Sequence, residues 1–86
     1  MLSSSQRFSI YPNPTTGVFT LLNNSDDIAG NLQVEIFDMH GNRVLSTSYT
    51  GERTHTFTLT EKPAGLYFVK VIYSDKVESF KLILAR

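Results

Sequence analysis

Turn-forming clusters cut this chain into short extended segments, and their spacing constrains the fold more than any other feature. Pro12-Asn13-Pro14, Asn23 to Asp27, His40-Gly41-Asn42, Thr50-Gly51-Glu52, Glu61 to Gly65 and Ser74-Asp75-Lys76 separate runs rich in Thr, Val, Ile, Phe and Tyr. Proline removes a ladder donor and holds the residue before it extended, while Asn, Asp and Ser side chains bond their own backbone and favour turns. Short strands at such intervals predict an all-β sandwich.

About seven strands are expected: Phe8 to Tyr11, Val18 to Leu22, Leu32 to Met39, Arg43 to Tyr49, Arg53 to Thr60, Leu66 to Tyr73 and Val77 to Ala85. In the third, Leu32, Val34 and Ile36 share one face and Gln33 and Glu35 the other, a period of two that argues against a helix. His55, Phe57 and Leu59 alternate with threonines in the fifth. The sixth is the most apolar and is expected to be central, with Tyr67, Val69 and Val71 on one face and Leu66, Phe68 and Lys70 on the other. Phe80, Leu82 and Leu84 give the last strand its core face. Gly41 suits a tight hairpin between the third and fourth strands.

With 86 residues the chain has material for one core, not two. Its 8 Lys and Arg balance 8 Asp and Glu, so no excess of positive charge draws it to nucleic acid or to anionic lipid. It has no cysteine, which excludes disulfides, thiolate metal sites and a thiol nucleophile. No apolar run approaches the ~20 residues of a membrane-spanning helix, so direct membrane insertion is not expected. Polar Ser3-Ser4-Ser5-Gln6 marks residues 1–7 as a linker or an artificial junction, and residues 8–86 as one domain of a longer protein.

Catalytic constellations are missing from the pattern. His40 and His55 fall in different elements without a spaced carboxylate or second histidine, so neither a metal centre nor a triad is expected, and no cofactor. Asp26, Asp27, Asp75, Glu52 and Glu61 all fall in turns, which do not provide the dry site that raises a general acid's pKa. Oxygen ligands in Asn23 to Asp27 suit a solvated turn better than a calcium loop, since the distal Glu of an EF-hand is lacking. Asn23-Asn24-Ser25 also matches the short glycosylation acceptor pattern.

Four segments go beyond composition: Tyr11-Pro12-Asn13-Pro14 with Gly17; Ile36-Phe37-Asp38 with Gly41 and Val44; Ala64-Gly65-Leu66-Tyr67-Phe68-Val69; and Lys81-Leu82 running to Arg86. Their order and spacing resemble the type A C-terminal sorting domain of the type IX secretion system, found at the end of many exported Bacteroidetes proteins. The likeness covers Phe8 to Arg86. It implies an immunoglobulin-like antiparallel β-sandwich of about seven strands, attached after an N-terminal cargo domain. The cargo would reach the periplasm by its own signal, meet the type IX translocon and its shuttle proteins, and arrive at the cell surface or outside the cell. A sortase-type cysteine protease would then cut before Phe8, nearest to Ser3 to Arg7.

Within that resemblance, Gly17, Gly41 and Gly65 suit turns, and Tyr67 packs its ring while its hydroxyl finds a partner. Translocon recognition is expected in Lys81, Leu82, Ile83, Leu84, Ala85 and Arg86. A terminal strand at a sheet edge offers unpaired N–H and C=O groups for β-augmentation, and Lys81 and Arg86 add charge. The main alternative is an immunoglobulin-like accessory module of an extracellular enzyme, a carbohydrate binder or spacer. Without tryptophan, its ring platform would have to come from Tyr11, Tyr49, Tyr67, Tyr73 and the phenylalanines.

Overall fold

The computed structural model describes residues 7–85; all but Arg7 of the linker expected over residues 1–7, and the charge expected at Arg86, lie outside them. Seven strands form: β1 (Phe8–Tyr11), β2 (Val18–Asn23), β3 (Asn31–Asp38), β4 (Arg43–Thr50), β5 (Thr54–Thr58), β6 (Gly65–Tyr73) and β7 (Lys76–Leu84). They make two antiparallel sheets, one ordered β1-β2-β5 and the other β4-β3-β6-β7. The hairpins β3-β4 and β6-β7 stay within the larger sheet, while the chain crosses between sheets after β2, β4 and β5. β6 is central, between β3 and β7.

Period-two alternation decides the faces. Leu32, Val34 and Ile36 of β3, Tyr67, Val69 and Val71 of β6, and Leu82 and Leu84 of β7 share the core with Phe8, Phe19, Leu21 and Phe57 from the other sheet and with Leu59 just beyond β5. Each such side chain contributes roughly 1.5 to 3 kcal/mol when withdrawn from water. Phe19 and Phe57 are direct cross-strand partners, and their rings stack at 5.3 Å between centroids. Tyr67 is buried, and its hydroxyl donates to the Pro63 carbonyl at 2.6 Å. That bond ties the start of β6 to the corner it has just turned, the tyrosine corner of immunoglobulin-like sandwiches.

Some expected boundaries move for identifiable reasons. The fifth strand ends at Thr58 rather than Thr60: the Leu59 N–H still bonds the Gly17 carbonyl at 2.6 Å, but the Leu59 carbonyl accepts the Lys62 N–H at 3.0 Å and turns the chain at Thr60. The third stops at Asp38, whose carboxylate caps the hairpin by accepting the His40 and Asn42 N–H groups, both at 2.9 Å. Those bonds, the Asn42 one above all, hold the Asp38 pKa below its ordinary value. A register shift at Ile36 and Phe37 sets Val44 as the extra residue of a bulge beside this turn, where Gly41 has φ +86°. The last strand begins at Lys76, one residue earlier than expected, after a tight turn through Ser74 and Asp75.

Asn23 corrects another expectation. It is only 3% exposed, and its side-chain oxygen accepts the Ser25 N–H at 2.9 Å, so it is a buried residue at the end of β2 and not an accessible glycan acceptor. The loop behind it is held by guanidinium groups: Arg53 donates to the carbonyls of Asn23 and Ser25, and Arg7 to that of Asp27.

Candidate recognition surface

The registers sort the molecule into two poles. Phe8 lies beside Asn23, and Leu32 and Lys76 beside Tyr73, which defines the pole where the chain comes in. At the other pole lie Tyr11, the Asp38 to Arg43 hairpin and Gly65, which is paired with Leu84. All four motif segments reach this far pole, although up to 70 positions separate them in sequence.

There the Pro12-Asn13-Pro14 segment does more than stop β1. Both of its X-Pro peptide bonds, Tyr11-Pro12 and Asn13-Pro14, are cis, and the chain passes from the small sheet to the free edge of β7. The Asn13 side-chain amide donates to the Lys81 carbonyl at 2.7 Å and accepts the Ile83 N–H at 3.0 Å. Thr15 continues the pairing: its N–H donates to the Ile83 carbonyl at 2.9 Å, and its carbonyl accepts the Ala85 N–H at 2.8 Å. We call residues 12–15 the strap.

The expectation of an open edge along Lys81 to Ala85 is thereby corrected. Alternate residues of a strand turn their N–H and C=O outward, here the odd-numbered ones. On the far half of β7 the outward groups of Lys81 C=O, Ile83 and Ala85 N–H are already bonded to the strap. Leu82 and Leu84 point into the core and are at most 1% exposed, so only Lys81, Ile83 and Ala85 show side chains to a partner. Val77 and Ser79 keep outward backbone groups without a backbone partner among the described residues.

Thr15 was not singled out by sequence reasoning, yet it is 1% exposed. Its hydroxyl donates to the Val18 carbonyl at 2.6 Å and accepts the Gly17 N–H at 3.1 Å, so a polar group is buried with its bonding satisfied. A threonine following two prolines reads as an ordinary turn residue. Only the three-dimensional partner gives it away.

A different set of contacts marks the near pole. The Arg7 N–H donates to Glu78 Oε2 at 3.1 Å, its carbonyl accepts the Asn24 N–H at 2.7 Å, and its guanidinium lies 5.0 Å from the Tyr73 ring centroid. The Tyr73 hydroxyl donates to the same Glu78 oxygen at 2.7 Å, which together with burial raises the Tyr73 pKa. Arg7 thus belongs to the folded unit, one residue ahead of the expected start. It also borders a cavity of about 460 Å³ with Asp27, Gln33 and Tyr73.

The chemistry-bearing side chains stay apart. His40 is exposed in the far hairpin; His55, at the near end of β5, meets Glu52 through Nδ1 at 2.5 Å and stacks on Tyr49. Burial first, and Glu52 second, push Tyr49 up to about 12. Among the described residues no group of three or more His, Cys, Asp or Glu is placed to hold a metal ion. The tyrosines do not make one exposed row: Tyr67 is in the core, Tyr73 sits edge-on to Phe8, Tyr49 lies under His55, and Tyr11 is about half exposed.

Three sheet-to-sheet crossings, a tyrosine corner and a first strand that hands its end to the edge of the last define an immunoglobulin-like β-sandwich. Its fold resembles that of a DUF3244 family protein from Bacteroides vulgatus, described as an immunoglobulin-like β-sandwich, with a TM-score of 0.69 at 18% identity over 87% of this chain and 83% of that one. The family model of the secretion system C-terminal sorting domain matches residues 9–85, and the chain belongs to that family. It is also 36% identical over 85 residues to karilysin of Tannerella forsythia, covering 88% of this chain but only 18% of the length of karilysin.

Proposed function

We propose that this domain is a non-catalytic secretion signal. It directs an attached N-terminal cargo through the periplasm and across the outer membrane by the type IX translocon and its shuttle proteins, to the cell surface or the medium. The observation that carries this reading is the division of the two poles. Cargo joins at the Arg7 end, while the motif segments gather at the opposite end, so the tag can be read while the cargo is attached.

Removal by a sortase-type cysteine protease then follows upstream of Arg7. A protease binds its substrate as an extended strand, and both backbone groups of Arg7 are already bonded within the domain, to Glu78 and Asn24. That moves the nearest cleavable stretch to residues 3–6 and leaves Arg7 on the tag.

The test is a periplasm-targeted fluorescent carrier fused ahead of this chain and expressed in a type IX strain and in its translocon-deficient derivative. Carrier at the surface or in the medium of the first strain and retained in the periplasm of the second is expected. Equal distribution in both strains contradicts sorting.

A further inference from the structure

A groove of about 260 Å³ opens at the far pole between the β3-β4 hairpin and the corner before β6; Met39, Val44, Pro63, Ala64 and Leu66 supply its apolar wall, and Asp38, His40 and Lys62 also line it. It is smaller than the ~300 to 1,000 Å³ of pockets that take drug-sized ligands, and so suits a protein side chain better than a small molecule. Leu66 also belongs to the outer face of the larger sheet, where it is paired with Ile83, and the next outward pair is Phe68 with Lys81. Phe68 is 36% and Ile83 47% exposed, so the apolar lining of the groove continues onto the outer face of the last hairpin.

Charge identifies what fits there. Net neutrality conceals an uneven distribution: Asp26, Asp27, Glu52, Asp75 and Glu78 all lie at the pole where the chain comes in. The far pole keeps only Asp38 and Glu61, and the Asp38 carboxylate is occupied by its own turn. Arg43 is held by Glu35 at 3.3 Å, and Lys70 lies over the Phe37 ring at 5.3 Å. Lys62 and Lys81 have no ion-pair partner among the described residues, and they stand beside the two ends of the apolar surface.

The motif residues around this surface separate into two kinds. Asn13, Gly41 and Tyr67 serve the fold through the strap, the hairpin and the corner. Ala64 is exposed at the groove and has no such bond among those described. A small side chain there keeps the groove open.

From this we infer that the groove and the Leu66, Phe68 and Ile83 face form one docking surface for a partner segment that carries apolar anchors beside carboxylates. An apolar side chain of the partner fills the groove, and its acidic neighbours meet Lys62 and Lys81. The inference rests on the sorting reading and names the surface through which it works. An apolar centre with a solvent-accessible rim of complementary charge is the usual composition of such contacts.

The experiment uses the same carrier fusion with four altered tags, each first checked by thermal melting. Ala64→Trp fills the groove from an exposed position; Lys62→Glu with Lys81→Glu reverses the flanking charge; Lys76→Glu places the same change at the other pole. The first two are expected to lower export about tenfold at an unchanged melting temperature. Lys62→Arg with Lys81→Arg, and Lys76→Glu, are expected to export like the unaltered tag. Should Ala64→Trp disturb folding, the charge reversal alone decides. A folded groove or charge-reversal variant that exports at the unaltered level overturns the docking surface while leaving sorting intact, and failure of the unaltered tag removes both.

Discussion

A chain shortened by Lys81 to Arg86 is expected to lose its cooperative thermal transition. Leu82 and Leu84 are at most 1% exposed, and loss of each removes about 2 to 5 kcal/mol of packing. The strap loses its four bonds to Lys81, Ile83 and Ala85 at the same time. Against the ~5 kcal/mol at the low end of the stability range, where a domain of this size belongs, those losses are sufficient to unfold it. Circular dichroism should show a broad, non-cooperative melt; a sharp transition within about 10 °C of the intact chain would contradict the placement of β7 in the core. Export lost on such truncation therefore does not locate recognition, whereas surface changes such as Lys81→Ala do not touch the core.

Gly17→Ala is expected to be nearly as damaging. Gly17 has φ +149°, where a side chain is strained by about 1 to 3 kcal/mol. Its added Cβ would also stand 2.7 Å from Thr60 Cγ2 and 3.2 Å from Thr60 Cα. The methyl can rotate aside, but the backbone cannot easily retreat, because the Leu59 N–H binds the Gly17 carbonyl at 2.6 Å and clamps the two segments together. Overpacking of this kind adds about 1 to 3 kcal/mol, so the melting temperature should fall by at least ~10 °C. Gly30 provides the comparison: an added Cβ there meets nothing within 4 Å, and Gly30→Ala should change stability by no more than ~0.5 kcal/mol. Equal melting temperatures for the two variants would contradict the close approach at Gly17.

What the sequence could reveal follows from the range of each interaction. The alternation of Leu32, Val34 and Ile36 is local, so their core face was legible, and so was the central place of Tyr67, Val69 and Val71. The Gly41 turn was legible for the same reason, being closed within the span from Asp38 to Asn42. The strap was not, since Asn13 finds its partners 68 and 70 residues away and nothing in Pro-Asn-Pro announces them. Its consequence reverses one expectation: the far half of the last strand is at a sheet edge in topology but is closed in bonding.

Polarity misled at two positions. Thr15 and Asn23 look like surface turn residues, and both are buried because local side-chain bonds satisfy them. Composition likewise gives the net charge but not its placement, and balanced totals hid the crowding of acidic residues at one pole. The motif segments are visible as a pattern in the sequence, but their shared pole is not. Their coming together is a property of strand order, which no single segment encodes.

Central to the account is the claim that Pro12 to Thr15 and the far half of β7 are one structural unit, so that the first and last motif segments fold as a pair. Native-state hydrogen exchange of the β7 amides tests it most directly. The outward amides of Ile83 and Ala85 should exchange on the order of a thousandfold more slowly than those of Val77 and Ser79, and Asn13→Ala should speed Ile83 selectively. Ile83 and Ala85 exchanging as fast as Val77 would show the strap to be undocked, and the account would fail.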